Sequence, residues 1–215
     1  MAALSFNQVK GESSKDKTPS YKMKDGNNKV RVIGGVLARY IYWVPNKGGT
    51  NSPVECLAFD RDQEKFTNEK KDWVKEYYPD LKAEWAYASL VLDEEGNIVI
   101  FNHKKKLLKA IIDAVEDLGD PSDPATGWDI CFTRAKTGPK VYNVEYTLQT
   151  LKCSKSVRAL TTEELEKVEA HPSIDEVLKR PNPEAIKNYL DEIRSGAPAD
   201  GGEAVDDEIP DDFSE

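Results

Sequence analysis

Five or six short β-type runs are interrupted by helical stretches without β-α-β alternation, a long first strand is broken by two glycines, and two hairpin signals flank an amphipathic helix. Together these predict an α+β fold, mainly antiparallel β, with helices inserted between strands rather than a parallel sheet. The kinked first strand suits a small barrel, so the expected architecture is an OB-fold-like barrel of five to six strands. At 215 residues and 39% hydrophobic content the chain can bury one core, and one domain with flexible ends is expected.

Residues 1–28 form a polar lead-in rich in Lys, Gly and Ser, too poor in apolar side chains to order itself, and are read as a flexible basic arm. Residues 29–160 are assigned to the barrel. Lys29 to Val44 is its long first strand, with Gly34-Gly35 as the site of a bulge or bend. Pro45 to Pro53 reads as a turn and Val54 to Phe59 as a short strand. Phe66, Trp73 and Tyr77 recur at helical spacing up to Pro79, which predicts a helix that packs these rings inward. Glu84 to Leu92 alternates cleanly, with Ala86, Ala88, Leu90 and Leu92 on the expected core face and Trp85, Tyr87, Ser89 and Val91 on the other.

A turn at Glu94 to Asn97 leads to a partner strand over Ile98 to Asn102. Leu107, Leu108, Ile111, Ile112, Val115 and Leu118 then mark an amphipathic helix. Trp128 to Arg134 and Val141 to Leu148 form the second hairpin around Lys136 to Lys140. Residues 161–195 read as an acidic helical extension, its last helix opened by Asn182 as cap and Pro183 at the first position. Residues 196–215, with eight acidic residues and no Lys or Arg, form an acidic tail expected to be disordered.

Charge is segregated along this plan. Residues 1–160 hold 25 basic and 22 acidic side chains, and residues 161–215 hold 5 and 17, so a net charge of −9 hides a slightly basic body. Local charge decides what a surface attracts, and a polyanionic partner is not excluded. Cys56, Cys131 and Cys153 are too dispersed for a disulfide framework, and with only two histidines no metal site and no cofactor are indicated. No apolar run is long enough to span a membrane, and the expected location is the cytoplasm.

The aromatic and basic residues suit one ligand class. An unpaired polynucleotide offers a line of phosphates and exposed base faces, which a sequence-tolerant site meets with Lys/Arg beside flat rings. Trp85 and Tyr87 lie opposite the aliphatic set, and either they meet bases or the helix around Trp73 covers them. On the first strand Arg39 and Trp43 share one face, Tyr40 and Tyr42 the other, and which face looks outward is left open. Lys104, Lys105 and Lys106 start a helix, where the macrodipole disfavours cations by ~0.3–1 kcal/mol each and a bound phosphate would resolve the conflict. Lys47, Arg134, Lys136 and Lys140 lie on loops that could neutralise phosphates.

The run WAYASLVLDEEGNIVIFNHKKKLLKAI (Trp85 to Ile111) resembles the core of bacteriophage single-stranded DNA-binding proteins related to the T-even helix-destabilising replication protein. The resemblance extends to MKDGNNKVRVIGG (Met23 to Gly35) and DPATGWDICFTRAKTGPKVYNVEYTL (Asp123 to Leu148). It implies an OB-fold that coats single-stranded DNA without sequence preference in phage replication, recombination and repair within the bacterial host cell. It also implies an acidic tail that recruits replication proteins such as a polymerase or helicase. The zinc-binding insertion of the T-even type is absent here, where that interval keeps only Cys56, so a zinc-free variant is expected. The compact basic N-terminal motif is replaced by dispersed Lys10, Lys15 and Lys17.

Asp206, Asp207, Glu208, Ile209, Asp211, Asp212 and Phe213 resemble the acidic endings of bacterial single-strand binding proteins, though Ser214 and Glu215 follow the ring. These seven residues are the expected partner-binding tail, which would also compete with DNA for the basic body. Nucleotide-binding, metalloprotease and nucleophile-elbow motifs are missing. Asp80, Lys82 and Glu84 lack the further Glu-x-Lys of a metal-dependent nuclease, so an enzyme is not expected. The rival reading is a protein-interaction adaptor or DNA mimic.

Overall fold

The computed structural model describes residues 18–46, 51–67, 69–140 and 143–195. Its centre is a six-stranded antiparallel sheet built on one long strand, β1 (Gly26–Pro45). The first part of β1 pairs with β7 (Asp129–Lys136), its middle with β5 (Glu84–Leu92), and its end with β2 (Asn51–Glu55). Outward from these lie β6 (Ile98–Asn102), beside β5, and β8 (Val144–Leu148), beside β7. One strand can serve three partners because its register slips between Ile33 and Val36, where Gly34 takes φ +76°, a left-handed conformation that only glycine adopts cheaply. Helix α2 (Lys105–Leu118) connects β6 to β7, and this strand order with helices inserted between strands is the expected OB-like plan.

Three clusters fill the interior. Val91, Val99, Phe101, Leu107, Ile111, Trp128, Ile130 and Phe132 form the first, between the sheet and α2. The Trp128 indole N–H donates to the Gly119 carbonyl at 2.8 Å, so its one polar atom is satisfied. A second cluster joins Tyr42, Val44, Val54 and Leu57 to α1 (Trp73–Tyr77) and α6 (Pro183–Ser195). The third contains Ala88, Leu90, Leu92, Ile33 and Ile100. It is covered by Leu160 and by Val168 and Ile174 of α4 (Thr162–Ala170) and α5 (Ile174–Val177). The aliphatic face of β5 read as core is therefore buried beneath the acidic extension, and the Val91 face is core as well.

Several expectations change. Residues 18–28, read as part of the arm, are built into the sheet: Pro19 and Tyr21 exchange backbone hydrogen bonds with Ile100, and Tyr21 packs on Phe101. Phe66 is not on a helix. It ends a two-stranded hairpin of β3 (Phe59–Asp60) and β4 (Lys65–Phe66), and the helix shrinks to Trp73–Tyr77, opened by the Asp72 carboxylate accepting from Val74 and Lys75 N–H. Ile112 lies on the exposed side of α2. A helix not expected, α3 (Thr150–Lys155), follows β8 and buries Cys153. The last helix starts as expected: Asn182 accepts from the Ala185 N–H at 2.7 Å, and Pro183 begins α6. All three cysteines are buried thiols.

Candidate nucleic-acid interface

The two ends of β5 differ. From Ala88 onward every residue is buried, whereas Trp85 and Tyr87 are half-buried and join none of the three clusters among the described residues. Their rings meet edge to face at 5.0 Å. Register sets their neighbours: Ala38 lies opposite Tyr87 and Tyr40 opposite Trp85, so Tyr40, Trp85 and Tyr87 share one face of the sheet. Tyr40 is also half-buried, with Phe59 at 4.7 Å and Phe66 at 4.8 Å, the latter edge-on. Val36, opposite Ser89, is 52% exposed. Trp73 pairs with Tyr77 on α1, under Lys71 at 3.6 Å, and packs with Tyr40 against the second cluster.

The lysine-headed helix begins beside the same row. The His103 N–H donates to the Tyr87 carbonyl at 2.9 Å, and Lys104 is the N-cap of α2. That cap makes no side-chain hydrogen bond and the first turn holds no acid, while Lys105 and Lys106 are exposed. Helix dipole and lysines thus add positive potential within one residue of the Tyr87 partner strand. His103 fixes this junction from inside: its Nε2 lies 2.9 Å from Ser89 Oγ, and burial pushes its pKa down to about 4. It is neutral at pH 7. Burial, and then the negative charge of Glu64, raises the Tyr87 phenol.

Other expected residues are placed elsewhere. Tyr42 is 2% exposed, and its hydroxyl donates to Asp72 Oδ2 at 2.7 Å, so it presents no ring to a ligand. Burial is the main cause of its raised pKa. Arg39 and Trp43 lie on the opposite face from Tyr40, and Trp43 hydrogen-bonds Glu84, whose pKa burial raises. Arg134 is buried in an ion pair with Asp25, and Lys136 approaches the same carboxylate at 3.8 Å. Both sit at the start of β1, where Gly26 pairs with Arg134, away from the Tyr40 end. Lys140 is exposed on the hairpin, its N–H donating to Asn143 Oδ1 at 3.2 Å. Lys47 and the tail residues Asp206, Asp207, Glu208, Ile209, Asp211, Asp212 and Phe213 lie outside the described residues.

Among the described residues no cluster of three or more His, Cys, Asp or Glu side chains could hold a metal ion. No helix among them is long and apolar enough to cross a membrane. The arrangement offers rings beside a cationic helix end, which suits binding rather than bond making.

No family model matches the chain. It is similar to a protein of Escherichia phage T5 named "Probable ssDNA-binding protein", with 35% identity over 160 residues that cover 68% of this chain. The chain spans 60% of the length of that relative. The resemblance to bacteriophage single-stranded DNA-binding proteins is thus met by a homologue that carries such a name.

Proposed function

We propose that this protein binds single-stranded DNA without sequence preference and catalyses no reaction. Tyr40, Trp85 and Tyr87 stack on bases, and Lys104, Lys105 and Lys106 with the α2 N-terminus hold phosphates. The observation that carries this reading is the 2.9 Å hydrogen bond that sets the start of α2 against Tyr87, because it places cations and flat rings at one end of one sheet. Each stack is worth ~1–3 kcal/mol and needs no base-specific hydrogen bond, which explains tolerance of sequence. The phage relative's name supports the same ligand. Lys47, Lys136 and Lys140 neutralise further phosphates of a longer strand, while Arg134 holds Asp25 in place.

The wider role we propose is the coating of single strands during phage DNA replication, recombination and repair in the host cytoplasm. The acidic tail, 196–215, recruits replication proteins and competes weakly with DNA for the basic body through its effective concentration. Removing it is expected to tighten DNA binding at low salt, and equal affinity of the truncated and full chains would refute competition.

Titration of intrinsic tryptophan emission with oligothymidylate at two salt concentrations tests the whole reading. Stacking on Trp85 quenches emission, and the midpoint weakens steeply with salt. Absence of both effects would favour the adaptor reading, to which the net charge of −9 otherwise lends some weight.

A further inference from the structure

The β3–β4 hairpin stands outside the six-stranded sheet, yet its base is firmly tied. Arg61 forks onto the Glu55 carboxylate at 2.8 and 2.6 Å and donates to the Leu178 carbonyl at 3.0 Å. Arg180 donates to the carbonyls of Leu57 and Phe59, and Thr67 N–H to that of Ala58 at 2.9 Å. The tip turns through Glu64, the one non-glycine residue with positive φ among the described residues, at 47°. A side chain held there is strained and is kept in place by the tied base of the hairpin.

The next residue but one is Phe66. At 51% exposure it is the one aromatic side chain among the described residues that falls in the exposed class. Its neighbours are rings, Tyr40 at 4.8 Å and Phe59 at 5.4 Å, both edge-on. The row on the sheet thus continues from Tyr87 through Trp85 and Tyr40 to a solvent-facing phenylalanine on an anchored hairpin, with Lys65 exposed beside it. An exposed ring that continues a row of partly exposed rings makes a contiguous apolar patch, the kind of surface that marks a ligand site.

We propose that Phe66 is the outermost base-stacking ring of the site. This rests on the single-strand reading above and adds to it a hairpin that shapes one end of the path. No covalent step is involved. Binding covers the exposed part of the Phe66 ring with a base.

The test is titration of the full chain and three variants with oligothymidylate. Phe66→Leu, which keeps an apolar side chain but no π face, is expected to weaken binding about 5- to 100-fold, whereas Phe66→Tyr stays within about twofold. Equal affinity for Phe66→Leu and the parent chain, or equal losses for Leu and Tyr, would overturn the role of the ring. Trp85→Ala in the same series separates the two levels: if it binds like the parent, the site itself is misplaced. If it weakens while Phe66→Leu does not, only the hairpin proposal falls. Should Phe66→Leu lower the melting temperature, photo-crosslinking of the parent chain to 5-iodouracil-substituted oligothymidylate decides: an adduct on Phe66 supports the proposal and its absence overturns it.

Discussion

β5 carries one alternating pattern along its length but has two fates. From Ala88 to Leu92 both faces are closed, one by α2 and the strands around Phe101, the other by Leu160 and the acidic extension. Trp85 and Tyr87 are half-buried and join no core cluster among the described residues, and a helix headed by three lysines starts alongside. The contrast shows that covering, not patterning, decides whether an aromatic row becomes core or interface. A Trp-x-Tyr pair reads the same in either case.

Mutations in the two halves should separate stability from affinity. In the closed half, Leu90→Ala removes a side chain only 6% exposed and is expected to cost about 2–5 kcal/mol in urea unfolding while folded protein still quenches on oligothymidylate. Equal effects on stability and affinity would erase the distinction. The junction between the halves is sensitive to acid. His103 has a folded pKa of about 4 against 6.5 when free, so between those values the unfolded chain binds more protons and stability falls as pH falls. The full loss is about 3 kcal/mol, and it should be smaller in His103→Asn when urea midpoints are followed from pH 7 to 4. Glu164, lowered to about 2 chiefly by its hydrogen bond from Arg158, loses its contribution in a separate window from about 4.5 downward.

In the open half, Trp85→Ala is expected to weaken oligothymidylate binding by ~1–3 kcal/mol with little change in unfolding midpoint. A large loss of stability instead would mean that Trp85 is core after all. The smallest effect is the most specific: Lys104, Lys105 and Lys106 changed together to Gln should lower the slope of log affinity against log salt by about 2, since each phosphate neutralised on a single strand adds ~0.7 to it. An unaltered slope would remove the phosphates from this helix end.

Much of the fold could be read in the chain because the period was strong there. The glycine break in β1, the strand Glu84–Leu92, its hairpin partner and α2 all follow from local spacing. What escaped depends on distant partners. Tyr40 and Tyr42 are equivalent in sequence, yet Tyr42 is enclosed with its hydroxyl on the Asp72 carboxylate, while Tyr40 stays half-buried at the edge of the same cluster. Arg134 reads as a loop cation until Asp25 is seen to hold it. Phe66 lies in a charged, helix-favouring segment, but Arg61 and Arg180 tie that segment into a hairpin through groups up to 123 residues away. Its exposure, the signal that marks it, has no trace in spacing.

Photo-crosslinking with 5-iodouracil-substituted oligothymidylate, mapped by mass spectrometry of the tryptic peptides, tests the open row most directly. Adducts on Tyr40, Trp85, Tyr87 and Phe66 are expected. Adducts confined to Trp73, Tyr21 or Tyr146, with none on β5, would contradict the account.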